Sequence, residues 1–466
     1  MEQQVPMATP RPEVFIIGAG IAGLTLAILL EQINVPYHIF ERASEVRPLG
    51  SAMALEGNIF PALEQLGIYE ELQQVSKTYV SVDFYNAELK KLGCVNIKEN
   101  RVASGYHNLI FSRPKLYEIL LRRVPAHKMT FRKKVLRTEE SDSKVTIYCS
   151  DDTSYTGDIL VGADGTYSGV RQNMYKHMDE KGLLPKSDLE EFSIGYTTIV
   201  GVATPPNPEK YPQLSAEHSC FNQIIYKDGA NASIPWIANC YVVAGADNQI
   251  SWGFGQQLSE SYLRDLQFRN SEWGPEKDDN TLEQYRTFPC PLGGTLGDLF
   301  DATPKNLISK IYLEEKLFKT WHHGRTVLIG DSCHKLHPAG GQGARNAIQD
   351  AIILANCIYS MTDFSSADIN AAFEDYYKQR YHHAEVAWNV SSGSSKILSG
   401  QKWWERFARY LVLNYLPDWL MRVNTQREMS YRPQVAWLPL IENRGEGHVL
   451  PQGFESVEAP AVAVGI

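Results

Sequence analysis

Val14-Phe-Ile-Ile-Gly18-Ala-Gly20-Ile-Ala-Gly23-Leu-Thr-Leu-Ala-Ile-Leu-Leu30 is the stretch that decides the fold. Glu13 to Ile17 read as a short buried strand, rich in β-branched and aromatic side chains. Gly18 permits a tight turn, Gly20 lets the backbone approach a pyrophosphate, and Gly23 lets a helix pack closely on the sheet. The phosphate charge then sits at a helix N-terminus. Leu24 to Gln32 continue as a helix of high propensity, and Tyr37 to Phe40 form a second strand. Strand, helix and strand make a βαβ unit, which implies a parallel sheet. Glu41 closes the second strand, where a carboxylate accepts hydrogen bonds from ribose hydroxyls. It favours an adenine dinucleotide without a 2′-phosphate, although Arg42 beside it blurs that distinction.

Working outward, two further segments share this character. Asp158-Ile-Leu-Val-Gly-Ala-Asp164-Gly165 runs from a strand into a turn and ends at Val170-Arg171. Gly324-Arg-Thr-Val-Leu-Ile-Gly330-Asp331 is followed by His334 and by Pro338-Ala-Gly-Gly-Gln-Gly343-Ala344. There a strand over 326–329 delivers an Asp that can bind a polyol. The glycines let a flat ring lie against bare backbone, and the following helix N-terminus can stabilise negative charge on it. Helices are predicted over 59–66, 114–124, 347–359 and 371–388, and antiparallel strands over 144–149 and 154–160. From Ser193 to about Trp252 the pattern changes to short β-rich runs separated by turn residues, a second and mainly antiparallel sheet. One domain is therefore assembled from separated pieces.

Composition narrows the function. The chain has 466 residues, 43% hydrophobic and 21% charged, with a net charge of −9. That is too long for one core, and without a dense Lys/Arg run it argues against a nucleic-acid partner. The cysteines at 94, 149, 220, 240, 290, 333 and 357 are odd in number and form no CxxC pair. We therefore expect no disulfide framework and no metal site; His334 and His337 sit in a glycine-rich loop, a poor setting for a metal pair. Met1 to Arg11 lacks an apolar core, so it does not read as a secretory signal. No run reaches the length of a membrane span. The aromatic and basic segment 403–423, broken by Pro417, reads first as a helix packing on the domain and alternatively as one lying on a membrane surface.

The motif order GxGxxG, then DG, then GD resembles the group A FAD-dependent monooxygenases, the aromatic-hydroxylase-like class, over roughly residues 12 to 390. GDSCHKLHPAGGQGARNAIQDA and the late RPQVAWLPLIENRG are similar to a fungal subgroup acting on secondary metabolites. The resemblance implies an α/β fold: a Rossmann-like FAD-binding domain carrying an inserted, mainly antiparallel substrate domain and C-terminal helices. We divide the chain into an FAD-binding domain (12–85, 105–190 and 300–370), a substrate domain (86–104 and 191–299), a helical region (371–450) and loose ends (1–11 and 451–466). By position, Gly18, Gly20 and Gly23 would cradle the pyrophosphate and Glu41 the adenosine ribose. Ala54 and Ala344 would present backbone to the flavin, Arg113 would contact the ribose and phosphate side, and Asp331 the ribityl or pyrophosphate portion. Asp164 would order FAD and the transient NAD(P)H site. Three features depart from the family pattern: the spacing of the loop after Pro338, Arg345 so close to the ring, and Gln349 where an acid is common.

The implied reaction uses NAD(P)H and O2, through a flavin C4a-hydroperoxide, to hydroxylate or epoxidise an apolar terpenoid, indole, polyketide or phenolic metabolite. An FAD-dependent dehydrogenase or oxidase without oxygen insertion is the alternative. Tyr196 and Tyr226 of the inserted sheet could face the substrate, and we take Tyr196 as the candidate catalytic residue. Residues 288–297 are either a pocket wall or an interdomain connector. The expected location is cytoplasmic, with 403–423 as the segment that could touch an intracellular membrane.

Overall fold

The computed structural model describes residues 11–45, 52–226, 236–242, 249–257, 282–283, 285–399 and 403–454. A six-stranded sheet runs in the order His322–His323, Thr326–Leu328, Ile159–Gly162, Val14–Ile17, Tyr37–Phe40 and Met129–Thr130. Its pairs are parallel except for the hairpin at the His322 edge. Val14–Ile17 and Ile159–Gly162 are buried at every position, as strands covered on both faces must be. Helix α1 (Ile21–Gln32) is buried over nearly its whole length and packs on α2 (Gly343–Tyr359). It starts three residues before the predicted Leu24. Gly23 lies in its first turn, where a Cβ would fall 2.1 Å from the Gly18 carbonyl oxygen.

The second sheet has eight strands: His334–Lys335, Ser309–Leu317, Ser193–Ala203, Ile250–Gln257, Trp236–Val242, Phe221–Tyr226, Ser81–Asn86 and Lys91–Asn96. All pairs are antiparallel except Phe221–Tyr226 with Ser81–Asn86. Period-two alternation divides its faces. Tyr196, Thr198, Val200, Gly253 and Gly255 face a large cavity. Their neighbours Ile199, Trp252 and Phe254 join a core with Leu296 and Leu299 on the other side.

Several expectations change. Residues 154–160 are not one strand: Ser154–Gly157 pairs antiparallel with Val145–Cys149, then the chain turns at Asp158 and Ile159–Gly162 joins the parallel sheet. Ser81–Asn86 and Ser309–Leu317, placed above with the nucleotide-binding pieces, are strands of the eight-stranded sheet. Residues 288–297 do not wall the cavity; Cys290, Leu292 and Leu296 are buried in the core behind the sheet.

The long helix α3 (Ser366–Ser399) exceeds the predicted 371–388 at both ends. Its Ser-Ser-Gly-Ser-Ser stretch at 391–395 has poor helix propensity. Those small residues let it approach the loop after Pro338 so closely that a Cβ on Gly340 would lie 2.2 Å from Ser391 Oγ. Helices α4 (Trp403–Tyr415) and α5 (Asp418–Ser430) follow, separated at Pro417. The segment after α5 then ties the helix Phe60–Gln65 to α2. Val435 N donates to Gln65 Oε1 at 2.8 Å, and Ala436 N donates to Asn356 Oδ1 at 2.9 Å.

Candidate active site

A cavity of about 1290 Å3 opens between the two sheets. That exceeds the roughly 300–1,000 Å3 of ordinary small-molecule sites and leaves room for two ligands. Gly18, Gly20, Glu41, Ala54, Arg113, Asp164, Asp331, Ala344 and Tyr196 all line it. Gly23 does not, because its bare Cα is used against Gly18 inside the fold.

Gly18 has φ +107°, and a Cβ there would approach the Ala163 carbonyl oxygen to 2.5 Å. This glycine is required by the protein itself, since its loop lies against the Asp164 turn. Gly20 differs: an added Cβ would meet only that same oxygen at 3.9 Å, and the space in front of it is the cavity. Glu41 accepts backbone N–H bonds from Ala19 and Ala43, one on each oxygen and both at 2.8 Å. Each oxygen keeps acceptor capacity for a ribose hydroxyl.

Arg113 begins a helix (Arg113–Leu121) that follows directly on Leu109–Ser112, the strand paired with Ala52–Leu55. Burial lowers its pKa, opposed by the charges of Tyr117 and Asp331. A guanidinium so placed is stabilised by an anion. Asp164 is raised by burial; its Oδ2 accepts from Val170 N at 3.2 Å, and its buried Oδ1 has no hydrogen-bond partner among the described residues. Asp331 is ion-paired with Lys335, which also lines the cavity. Added Cβ atoms at Gly341 and Gly343 would meet nothing within 4 Å, so bare backbone leading into α2 borders open space. This donor set fits a dinucleotide carrying a flat ring: acceptors for hydroxyls, a cation and helix N-termini for phosphates, and glycine backbone for the ring.

The departures noted in the sequence resolve physically. Arg345 turns out of the cavity and is buried between Glu56 Oε2 and Glu428 Oε1, each at 2.9 Å. Burial raises Glu56 to about 7, with Glu428 adding to the rise and Arg345 opposing it. Gln349 is not the position of the structural acid; Asp350 is. It accepts from Gly330 N at 2.8 Å and Arg380 Nε at 2.8 Å, and it meets His334 Nε2. Burial pushes Asp350 up, but His334 and Arg380 outweigh it and hold it down to about 2. Cys333, His334 and Asp350 thus form a buried network that props the Gly330-Asp331 turn.

Tyr196 reaches the cavity wall, but its hydroxyl donates to the Ser395 carbonyl at 3.4 Å and its ring packs edge-on to His337, with centroids 4.7 Å apart. Burial lowers His337 to about 4, aided by Lys335, so this ring is neutral near pH 7. Tyr226 ends its strand, and its side chain lies outside the described residues.

Sequence reasoning missed Glu56 and Glu428 as cavity residues. Glu56 was findable, since it follows Ala54 by two positions at the end of an extended strand. Glu428 left no signal, because only folding brings α5 back onto the loop.

The FAD binding domain family model matches residues 11–189 and 298–386, the discontinuous portion that builds the parallel sheet and the glycine loops. The chain belongs to this family of FAD-binding proteins. It is an FAD-dependent monooxygenase. It is 29% identical to the FAD-dependent monooxygenase ausM of Aspergillus calidoustus, over 96% of this chain and 93% of that protein. It is likewise 29% identical to the FAD-dependent monooxygenase ptmM of Penicillium ochrochloron, over 81% of this chain and 87% of the relative. In fold it is similar to Klebsiella pneumoniae HpxO, solved with FAD and uric acid, at a TM-score of 0.68 and 19% identity over 90% of this chain and 96% of that one.

Proposed function

We propose that this enzyme uses a reduced nicotinamide, NADH or NADPH, and O2 to hydroxylate or epoxidise an apolar secondary metabolite of terpenoid, indole, polyketide or phenolic type. The observation that carries the reading is the composition of one cavity. Its cofactor-type end is glycine backbone, Glu41, Arg113 and Asp331. Its other end is walled by Val82, Phe84, Val95, Ile97, Ile311 and Leu413.

Bound FAD supplies hydride acceptance and the activation of O2. The chain's own residues do the rest. Glu41 holds the adenosine ribose, Arg113 the phosphates and Asp331 the ribityl hydroxyls, while Ala54 and Ala344 offer backbone to the ring. Asp164, with an unsatisfied buried oxygen, orders the turn against which the cofactor rests. The apolar strand faces orient the substrate and exclude water, which protects against unproductive peroxide release. Glu56, raised to about 7 by burial, can gain or lose a proton near neutral pH beside the strand that carries Ala54. Tyr196, braced on His337, positions the substrate. The enzyme works in the cytoplasm and in peripheral contact with an intracellular membrane; no described helix is long and apolar enough to cross one.

Single-turnover incubation with reduced nicotinamide, 18O2 and candidate apolar substrates tests the reaction. One labelled oxygen atom in the product supports it. Oxidised product without label would establish the dehydrogenase or oxidase alternative instead.

A further inference from the structure

Helix α4 presents large aromatic side chains to solvent. Its polar Glu405 is buried, and Arg409, Val412 and Leu413 line the cavity. Its outward face carries Trp403 (73% exposed), Trp404, Phe407 (55%), Tyr410, Leu411 and Tyr415 (63%). Trp403, Phe407 and Tyr410 or Leu411 recur at three- and four-residue spacings, so they form one stripe. Beyond Pro417, Trp419 (66%) and Val423 (52%) of α5 are exposed as well. Isolated surface aromatics are ordinary, but a contiguous patch of this kind marks a surface that something covers.

The inner face explains the orientation. Leu413 packs with Phe84 and Ile225, and a Cβ at Gly93 would meet Leu413 Cβ at 2.7 Å. Asn414 Nδ2 donates to the Leu92 carbonyl at 3.1 Å, and Arg345 holds Glu428 of α5 at 2.9 Å. The helix pair is thus fixed with its aromatic face outward. Two properties identify the cover. Trp and Tyr are the residues that sit at headgroup level in a bilayer. Residues 396–427 also contain six lysines and arginines against two acidic residues, in a chain whose net charge is −9. Of those cations, Lys396, Arg406 and Arg427 are exposed, and exposed Arg422 is paired with Glu99 at 3.2 Å.

We infer that the outward face of α4 and the start of α5 docks in the headgroup layer of an anionic phospholipid bilayer, leaving the cavity separated from lipid by a single helix. That thickness is roughly 10 Å. The docked enzyme takes its apolar substrate from the membrane rather than from water. This last step rests on the substrate reading above; the docking does not.

The test is flotation of the flavin-loaded full-length enzyme with phosphatidylcholine vesicles, with and without phosphatidylserine. The wild type should float with the vesicles, more strongly when they contain phosphatidylserine and less at high salt. The combined variant Trp403→Ser, Phe407→Ser and Trp419→Ser alters exposed side chains only. It should keep its flavin and its activity on substrate supplied in detergent, while its vesicle partitioning falls by at least ~10-fold. Wild-type enzyme that stays with the solution overturns the docking, as does a variant that floats unchanged. So does a concentration-dependent dimer, without vesicle binding, that the same variant dissolves: a second copy would then be the cover. Oxygen insertion in solution separates failure of the docking from failure of the functional reading.

Discussion

At Gly18 the backbone sits at φ +107° with the Ala163 carbonyl oxygen 2.5 Å from where a methyl group would project. Gly18→Ala should therefore cost at least ~2–3 kcal/mol of stability and lose FAD, measured by thermal melting and by flavin absorbance of the purified protein. An added methyl at Gly20 conflicts with no protein atom, so Gly20→Ala should fold normally and lose only cofactor affinity. Asp331→Ala should purify colourless. Arg113→Ala should bind FAD about 10- to 100-fold more weakly, the range for losing a charged hydrogen bond. A fully yellow Asp331→Ala would show that the Gly330-Asp331 turn does not hold the cofactor. Glu56 gives a pH signature. Its folded pKa of about 7 lies above the unfolded value of about 4.3. The native state then holds the extra proton, and stability falls as pH rises from about 4.3 to about 7. Glu56→Gln should flatten that part of the stability profile in denaturant titrations at a series of pH values.

Among the elements, α2 and α3 are locked by one buried ion pair, Arg380 Nε to Asp350 Oδ1 at 2.8 Å, with both side chains fully buried. Arg380 also donates to Asn346 Oδ1 at 2.8 Å. Removing one partner strands the other charge, so Arg380→Met should lose about 3–5 kcal/mol. It should also loosen the Gly330-Asp331 turn that Asp350 props, seen as faster flavin release. The pH sign here is opposite to that of Glu56. A carboxyl held down to about 2 adds stability above its unfolded value near 3.9, and that stability drains away as pH falls toward 2. The inserted sheet works through alternation. One face of Ser193–Ala203 and Ile250–Gln257 is core and the other is cavity, so a one-residue slip in register would turn the apolar core toward the substrate.

For the whole molecule, three distant pieces of chain meet on one cavity, so cofactor binding and folding are linked. FAD at 100-fold above its dissociation constant should stabilise the protein by about 2.7 kcal/mol, read as a rise in melting midpoint over the flavin-free form. NAD(P)H without substrate should yield slow peroxide formation. The glycine turns that border the cavity were legible in the sequence because each is a local pattern: a hydrophobic strand, a glycine that must have no Cβ, and a carboxylate at a fixed offset. Arg345 and Gln349 were misjudged for the opposite reason. What balances Arg345 is Glu428, a residue 83 positions away, and the acid that props the turn is revealed only by its contacts with Gly330 and Arg380. The serine-rich end of α3 hid for a similar cause: its helicity comes from packing against Gly340, not from propensity. The sequence by itself thus determined the class of fold, the cofactor and the glycine turns and carboxylates that come to line one cavity, since short-range sterics and strand period dictate them. Which strands joined the second sheet, which charges were neutralised inside, and which face of the C-terminal helices was left outward were decided by tertiary structure, because burial is a property of contacts between segments far apart in the chain.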